Sequence, residues 1–254
     1  MLTKARIEAE LNKIGVKPPK IVFYESTDST NTRAKEYAKN NPENREKVIF
    51  IANRQTAGRG RLGRSFVSEA GAGIYMSILS YPNECGYDAT EITSEAAVAL
   101  SRAIESLCDC CVVIKWVNDI YLGGKKLCGI LTEAEMTVDG KIAYQVVGMG
   151  INVYKNAISY EISDIATSIE HQLGNAPDRS QLVARIISEC LSPVHNTYKE
   201  YRARSFIIGK NVQVIKSTES YSATVLDINE DFSLSVDRNG NIERLFTGEI
   251  SIKI

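Results

Sequence analysis

The chain reads as an α+β protein, a larger unit of interspersed helices and strands over residues 1–205 followed by a small all-β unit over 206–254. Three observations predict this. Ala96, Ala97, Leu100, Ala103, Ile104 and Leu107 recur at helical spacing. Two long apolar-patterned runs, 126–138 and 141–153, flank Asp139-Gly140, a strong hairpin signal. After Phe206 only short strands separated by turn residues remain, the texture of a small barrel. At 254 residues and 44% hydrophobic, the chain can bury one sizeable core and carry a lesser domain beside it.

Taken in order, Ile7, Leu11 and Ile14 mark one face of a short helix that ends at Gly15. Lys17-Pro18-Pro19-Lys20 breaks the chain before a strand at 21–24. The capping cluster Ser26-Thr27-Asp28-Ser29-Thr30-Asn31 starts a polar helix running to about Asn40. Strands follow at 48–52 and 73–80, the second ended by Tyr81-Pro82-Asn83. Thr93 or Ser94 is expected to cap the long core helix, with a strand at 112–116 beyond it and a turn at Asn118-Asp119. Residues 178–201 are mostly helical, interrupted at Pro193. The closing strands are 212–216, 222–228, 232–236, 242–246 and 250–254, with a tight turn at Asn239-Gly240.

A formal net charge of −1 argues against a general polyanion surface, so DNA is not expected as a partner. There is no secretory signal and no run of about 20 apolar residues to span a membrane, which places the protein in the cytoplasm. The six cysteines form no regular framework. Cys108-Asp109-Cys110-Cys111 lacks a second Cys/His pair, so these are read as reduced packing residues, with no metal ligands assigned.

Four arginines and three glycines share the eleven residues from Arg54 to Arg64, and the core reads Gly58-Arg59-Gly60-Arg61-Leu62-Gly63-Arg64. Exposed N–H groups and cations on a pliable segment suit a small anion. The loop is expected to be mobile alone and ordered over bound ligand. Its glycine spacing formally matches a dinucleotide fingerprint, but no helix start follows it. Further on, Lys115-Trp116-Val117-Asn118-Asp119 precedes Lys126-Leu127-Cys128-Gly129-Ile130. Period-two alternation places Lys126 with Cys128 and Ile130, facing inward, where a lysine needs an anion. Lys125 reads as a solvated charge, and Gly129 permits close approach of a ligand. Two lysines and an arginine loop could neutralise a carboxylate and a triphosphate brought together.

These motifs, with Ser29-Thr30-Asn31, Gln55-Thr56-Ala57, Leu131-Thr132-Glu133 and Gly148-Met149-Gly150-Ile151-Asn152-Val153, resemble those of biotin–protein ligases in order and approximate spacing over nearly the whole chain. The resemblance implies a mixed-sheet catalytic domain packed with helices and a C-terminal SH3-like barrel. It implies that biotin and ATP, with Mg²⁺, form biotinyl-5′-AMP, and that the biotinyl group passes to a lysine of a biotin carboxyl carrier protein. By the same likeness Ser29, Thr30, Asn31 and Gln55 hold biotin, with Gly58, Arg59, Gly60, Arg61 and Gly129 around it. Lys126 bridges its carboxylate and the α-phosphate. Arg64, Phe66, Lys115, Asn118 and Asn152 attend the nucleotide, and Asp119 orients the incoming amine. Mg²⁺ rides on the phosphates, with no protein ligand named.

Some members of that family add an N-terminal helix-turn-helix. About 20 residues precede the first core strand here, so ligase activity without operator binding is expected. Val117 stands where many members have proline, and Phe66 near where some have tryptophan. Lipoate or octanoyl ligases share the catalytic fold, but their Arg-Arg…Ser-Gly-Gly-Gly-Ala type of loop is missing. The oligomeric state is left between monomer and homodimer.

Overall fold

The computed structural model describes residues 1–81, 89–192, 196–216, 219–246 and 249–252. In chain order the elements are α1 (Lys4–Lys13), β1 (Lys20–Tyr24), α2 (Thr30–Asn40), β2 (Val48–Ala52), β3 (Gly73–Ser80) and α3 (Ala89–Glu105). Next come β4 (Val113–Lys115), β5 (Asp119–Leu122), β6 (Lys125–Met136), β7 (Ile142–Asn152), α4 (Ile169–Leu173), α5 (Arg179–Leu191) and α6 (Thr197–Arg204). Five short strands follow: β8 (Asn211–Ile215), β9 (Ser220–Ile228), β10 (Leu234–Arg238), β11 (Asn241–Leu245) and β12 (Glu249–Ile252).

The first seven strands form one sheet in the order β1-β2-β3-β7-β6-β5-β4. It is mixed, because β1 and β2 run parallel and the other neighbours antiparallel. All five residues of β2 are buried because both faces of the sheet are covered. Ile49 and Ile51 enter the main core with α1, α3 and α5. Val48 and Phe50 point the other way, under Ala34 and Ala38 of α2. That is why a polar helix with two buried alanines suffices on the second face.

The helix α3 begins at Ala89, earlier than the expected caps. Thr93 and Ser94 are buried inside it. The Thr93 hydroxyl donates back to the Ala89 carbonyl (2.6 Å) and lies 2.7 Å from Thr132 Oγ1 on β6, so it ties helix to sheet and caps nothing. The expected ending of β3 at Pro82-Asn83 and the interruption at Pro193 lie outside the described residues. The β6–β7 connection is wider than a two-residue turn: Thr137 N donates to the Lys141 carbonyl (2.7 Å) around it, and Gly140 takes φ 79°. Asn239 and Gly240, at φ 54° and 87°, do make the two-residue turn between β10 and β11.

The last five strands form a separate antiparallel sheet, β11-β10-β9-β8-β12, curled into a small SH3-like barrel. It is docked firmly. Trp116, just past β4, turns its indole out of the expected strand and donates from Nε1 to the Phe232 carbonyl (2.8 Å). The Tyr198 and Tyr201 rings meet Phe232 edge-on at 6.2 and 5.5 Å. Arg202 makes a two-bond pair with Asp227 at 2.7 and 3.0 Å. Among the described residues no helix is long and apolar enough to cross a membrane. Trp116→Phe keeps an aromatic ring but loses part of the buried indole's volume and strands the Phe232 carbonyl, so chemical denaturation should show a loss of at least about 1–3 kcal/mol.

Candidate active site

The arginine loop folds as a flap over the sheet. Its legs are joined by Gln55 N to the Ser68 carbonyl (3.1 Å) and Phe66 N to the Gly58 carbonyl (2.9 Å). Near the tip, Gly60 N donates to the Arg64 carbonyl (2.7 Å), and Leu62 and Gly63 turn the chain at φ 55° and 74°. Underneath lies a cavity floored by β7 and β6. Arg61 reaches across its mouth, donating to Asn118 Oδ1 (3.0 Å). Asn118 is itself fastened: its Nδ2 donates to the Ile130 carbonyl (2.8 Å) and its carbonyl accepts from Ile130 N (2.9 Å). The Trp116–Val117 peptide bond preceding this turn is cis.

Lys126 lines the cavity, but by a different route from the one its alternation predicts. Tyr121 pairs with Lys126 while the preceding residue, Ile120, pairs with Cys128, leaving Leu127 as a β-bulge. Leu127 and Cys128 are both fully buried. The extra residue moves Lys126 off the Cys128–Ile130 face and onto that of Gly129, beside whose Cα the Lys126 amine lies. There Lys126 Nζ sits 2.7 Å from Asp119 Oδ1. Asp119 opens β5 and faces Gly129 across the ladder, so it belongs to a strand and not to the expected turn. Lys125 is no simple solvated charge either, because it donates to the Ser163 carbonyl (2.6 Å). Lys115 extends over the ring of Tyr121 at 5.9 Å. Burial, followed by the Asp119 charge, pushes that phenol up to about 12, so it stays neutral near pH 7.

The other end of the cavity presents neutral side chains, with the Arg59 guanidinium beside them. Gln55 Oε1 accepts from Thr30 N (2.9 Å) and Thr30 Oγ1 (3.1 Å), while its Nε2 donates to Ser68 Oγ (3.0 Å). The hydroxyl of buried Ser77 lies 2.7 Å from Thr30 Oγ1 and 2.6 Å from Asn31 Oδ1. Two glycines of β7 make room. A Cβ on Gly148 would strike Asn31 Oδ1, and one on Gly150 would lie 2.6 Å from the Phe66 ring.

Of the residues predicted to form the site, Ser29, Thr30, Asn31, Gln55, Arg59, Gly60, Arg61, Arg64, Phe66, Lys115, Asn118, Asp119, Lys126 and Gly129 share this cavity. Gly58 and Asn152 do not. Gly58 is tucked against the Phe66 carbonyl at the flap's foot. Asn152 is buried, its Nδ2 on the Thr167 carbonyl (3.1 Å), and Thr167 N in turn donates to the Lys126 carbonyl (2.8 Å). Several wall residues escaped sequence reasoning, among them Met76 of β3 and Ile250 of β12. So did Arg179, buried at the start of α5. Its Nη1 donates to Asn53 Oδ1 (3.1 Å) and the Gly73 carbonyl (3.0 Å), clamping both roots of the flap. No spacing signal links residue 179 to residues 53 and 73. Arg179→Met leaves the buried Gly73 carbonyl without this donor and frees the partly exposed Asn53 amide, and should cost about 1–3 kcal/mol in a denaturation experiment.

Fold and cavity together describe a mixed-sheet α+β protein whose one cavity sets neutral hydrogen-bonding side chains against a cluster of cations. The model of the biotin/lipoate A/B protein ligase family matches residues 23–152, about half the chain. The chain belongs to this family. A bifunctional ligase/repressor of Bacillus subtilis is 30% identical over 246 residues, covering 91% of this chain and 74% of that one. A biotin–[acetyl-CoA-carboxylase] ligase of Mycobacterium tuberculosis is 29% identical over 222 residues, 80% of this chain and 78% of the other. Among solved structures, the Aquifex aeolicus biotin protein ligase in complex with biotin and ATP superposes with a TM-score of 0.75 at 27% identity, covering 92% of this chain and 98% of that one.

Proposed function

We propose that this chain is a cytoplasmic, ATP-dependent biotin–protein ligase that modifies a lysine of a biotin carboxyl carrier protein or domain, with residues 1–205 as the catalytic domain. The observation that carries this reading is a single cavity with two chemistries. Thr30, Asn31 and Gln55 offer a neutral ring its hydrogen bonds at one end, and Lys126 and Arg61 offer an acid and a phosphate their countercharges at the other. Mg²⁺ enters on ATP as part of the substrate.

In the first step a carboxylate oxygen of biotin attacks the α-phosphorus of ATP. The bond from that phosphorus to the bridging oxygen breaks, and pyrophosphate leaves with the electron pair. Both reactants are anionic, so the Lys126 ammonium and the Arg61 guanidinium lower the barrier by meeting charge that concentrates between them. Arg59 and Arg61 close the flap over the product. In the second step the carrier's lysine nitrogen attacks the acyl carbon, AMP departs with the anhydride oxygen, and the nitrogen gives up a proton. Asp119, 2.7 Å from Lys126, stands where it can orient that amine. Asn152 supports the Thr167 segment that pairs with Lys126.

Biotin-dependent exchange of labelled pyrophosphate into ATP tests the reading, with lipoate as comparison acid. Exchange with biotin is expected, and exchange with lipoate alone would overturn it. Lys126→Ala should slow adenylate formation by about 10²–10³-fold, because its charge serves the transition state. A change confined to biotin affinity would remove Lys126 from that role. Arg61→Gly should release biotinyl-AMP at least about tenfold faster while impairing its synthesis less, since one charge-assisted contact is worth about 1.5–3 kcal/mol. Unaltered release would contradict it.

A further inference from the structure

Glu133 of β6 is not among the residues of the cavity wall, yet it governs what the wall displays. Asn31 Nδ2 donates to Glu133 Oε2 (2.8 Å) and to the Leu131 carbonyl (3.3 Å). Both of those groups can only accept, so the amide nitrogen of Asn31 must face them and its Oδ1 must face the other way. Oδ1 then lies over Gly148, on the cavity floor, within 2.6 Å of Ser77 Oγ. Ser77 has one proton, and Thr30 Oγ1 lies on its far side at 2.7 Å. A serine proton given to Asn31 Oδ1 leaves the Thr30 hydroxyl to donate toward Ser77 or Gln55 Oε1, with its own lone pairs turned to the ligand. Across the cavity, Gln55 Nε2 spends one proton on Ser68 and retains a second.

The carboxylate is held ionised for this purpose. Burial alone would raise its pKa, but hydrogen bonds from Lys35 (2.7 Å) and Asn31, with the charges of Lys35 and Arg59, bring it below the ordinary glutamate value. Arg59 of the flap approaches the same oxygen that Asn31 uses, at 4.0 Å.

We propose that Glu133 is a positioning residue that sets hydrogen-bond direction along Asn31, Ser77 and Thr30, making this side of the cavity accept from ring N–H groups and thereby selecting a cyclic urea. The proposal rests on the biotin reading and adds the source of head-group specificity. A site built from fixed acceptors rejects an isostere whose N–H is replaced by an acceptor atom, because lone pairs then face lone pairs.

The test compares biotin with its cyclic carbamate isostere, in which oxygen replaces one ring N–H, in pyrophosphate exchange by the full chain. The wild type should prefer biotin by at least about 10²-fold in kcat/KM. Glu133→Gln removes the shorter of the two fixed acceptors that orient Asn31, since glutamine can donate where glutamate could not, and leaves only the longer contact to the Leu131 carbonyl (3.3 Å) to oppose turning over. That variant should raise the biotin KM by about tenfold, change kcat far less, and shrink the preference to within several-fold. Undiminished preference, or an equal fall in kcat for both acids, would overturn the proposal. Wild-type enzyme with no biotin-dependent exchange would overturn the biotin reading instead. In case the variant fails to fold, NMR on wild-type protein supplies the second measurement. The Asn31 side-chain NH₂ should show nuclear Overhauser contacts to the Glu133 methylenes, and contacts to the Ser77 methylene in their place would refute the assignment.

Discussion

One surplus residue in a β-strand decides where this protein keeps its charge. Leu127 bulges out of the β5–β6 ladder, and Lys126 consequently leaves the buried side of the sheet for the cavity side. Its amine crosses the bare Cα of Gly129 to reach Asp119 on the facing strand. Flap, floor and opposing turn are arranged around that pair. Arg61 closes over it from above through Asn118, and Asn118 is held by the β6 residue Ile130, so one strand anchors both cationic parts.

The two ends of the cavity follow different physical rules. At the anionic end the partners are long, flexible and charged, because electrostatic attraction tolerates imperfect geometry. At the neutral end the groups are short and already committed to one another, because discrimination among uncharged rings depends on which atoms hold protons. Glu133 belongs to both regimes, touching Asn31 on one side and the flap's Arg59 on the other.

Much of this was legible in the sequence, and the exceptions have identifiable physical causes. Strands and helices announced by the sequence, such as β3 and the β6–β7 hairpin, lie where expected, and most of the residues assigned to the site line one cavity. Thr93 and Ser94 misled because a hydroxyl can bond back within a helix as readily as cap it. Lys126 was assigned the wrong strand face because alternation counts residues and cannot see a bulge. Arg179 and Ile250 were invisible for a different reason: their roles arise from tertiary proximity to residues far away in the chain. Asn152 belongs to a motif shared with the family, yet its side chain is spent on the backbone behind the wall.

The placement of Ile250 bears on biosynthesis. The wall of the cavity includes a side chain from β12, a strand that pairs with β8 and leaves the ribosome after every other described element. The first two hundred residues can therefore assemble their sheet while translation continues, but the chamber acquires its final side only when the barrel has closed. The last described strand thus contributes to the wall that faces the cationic parts, although it belongs to the barrel and not to the sheet that carries them.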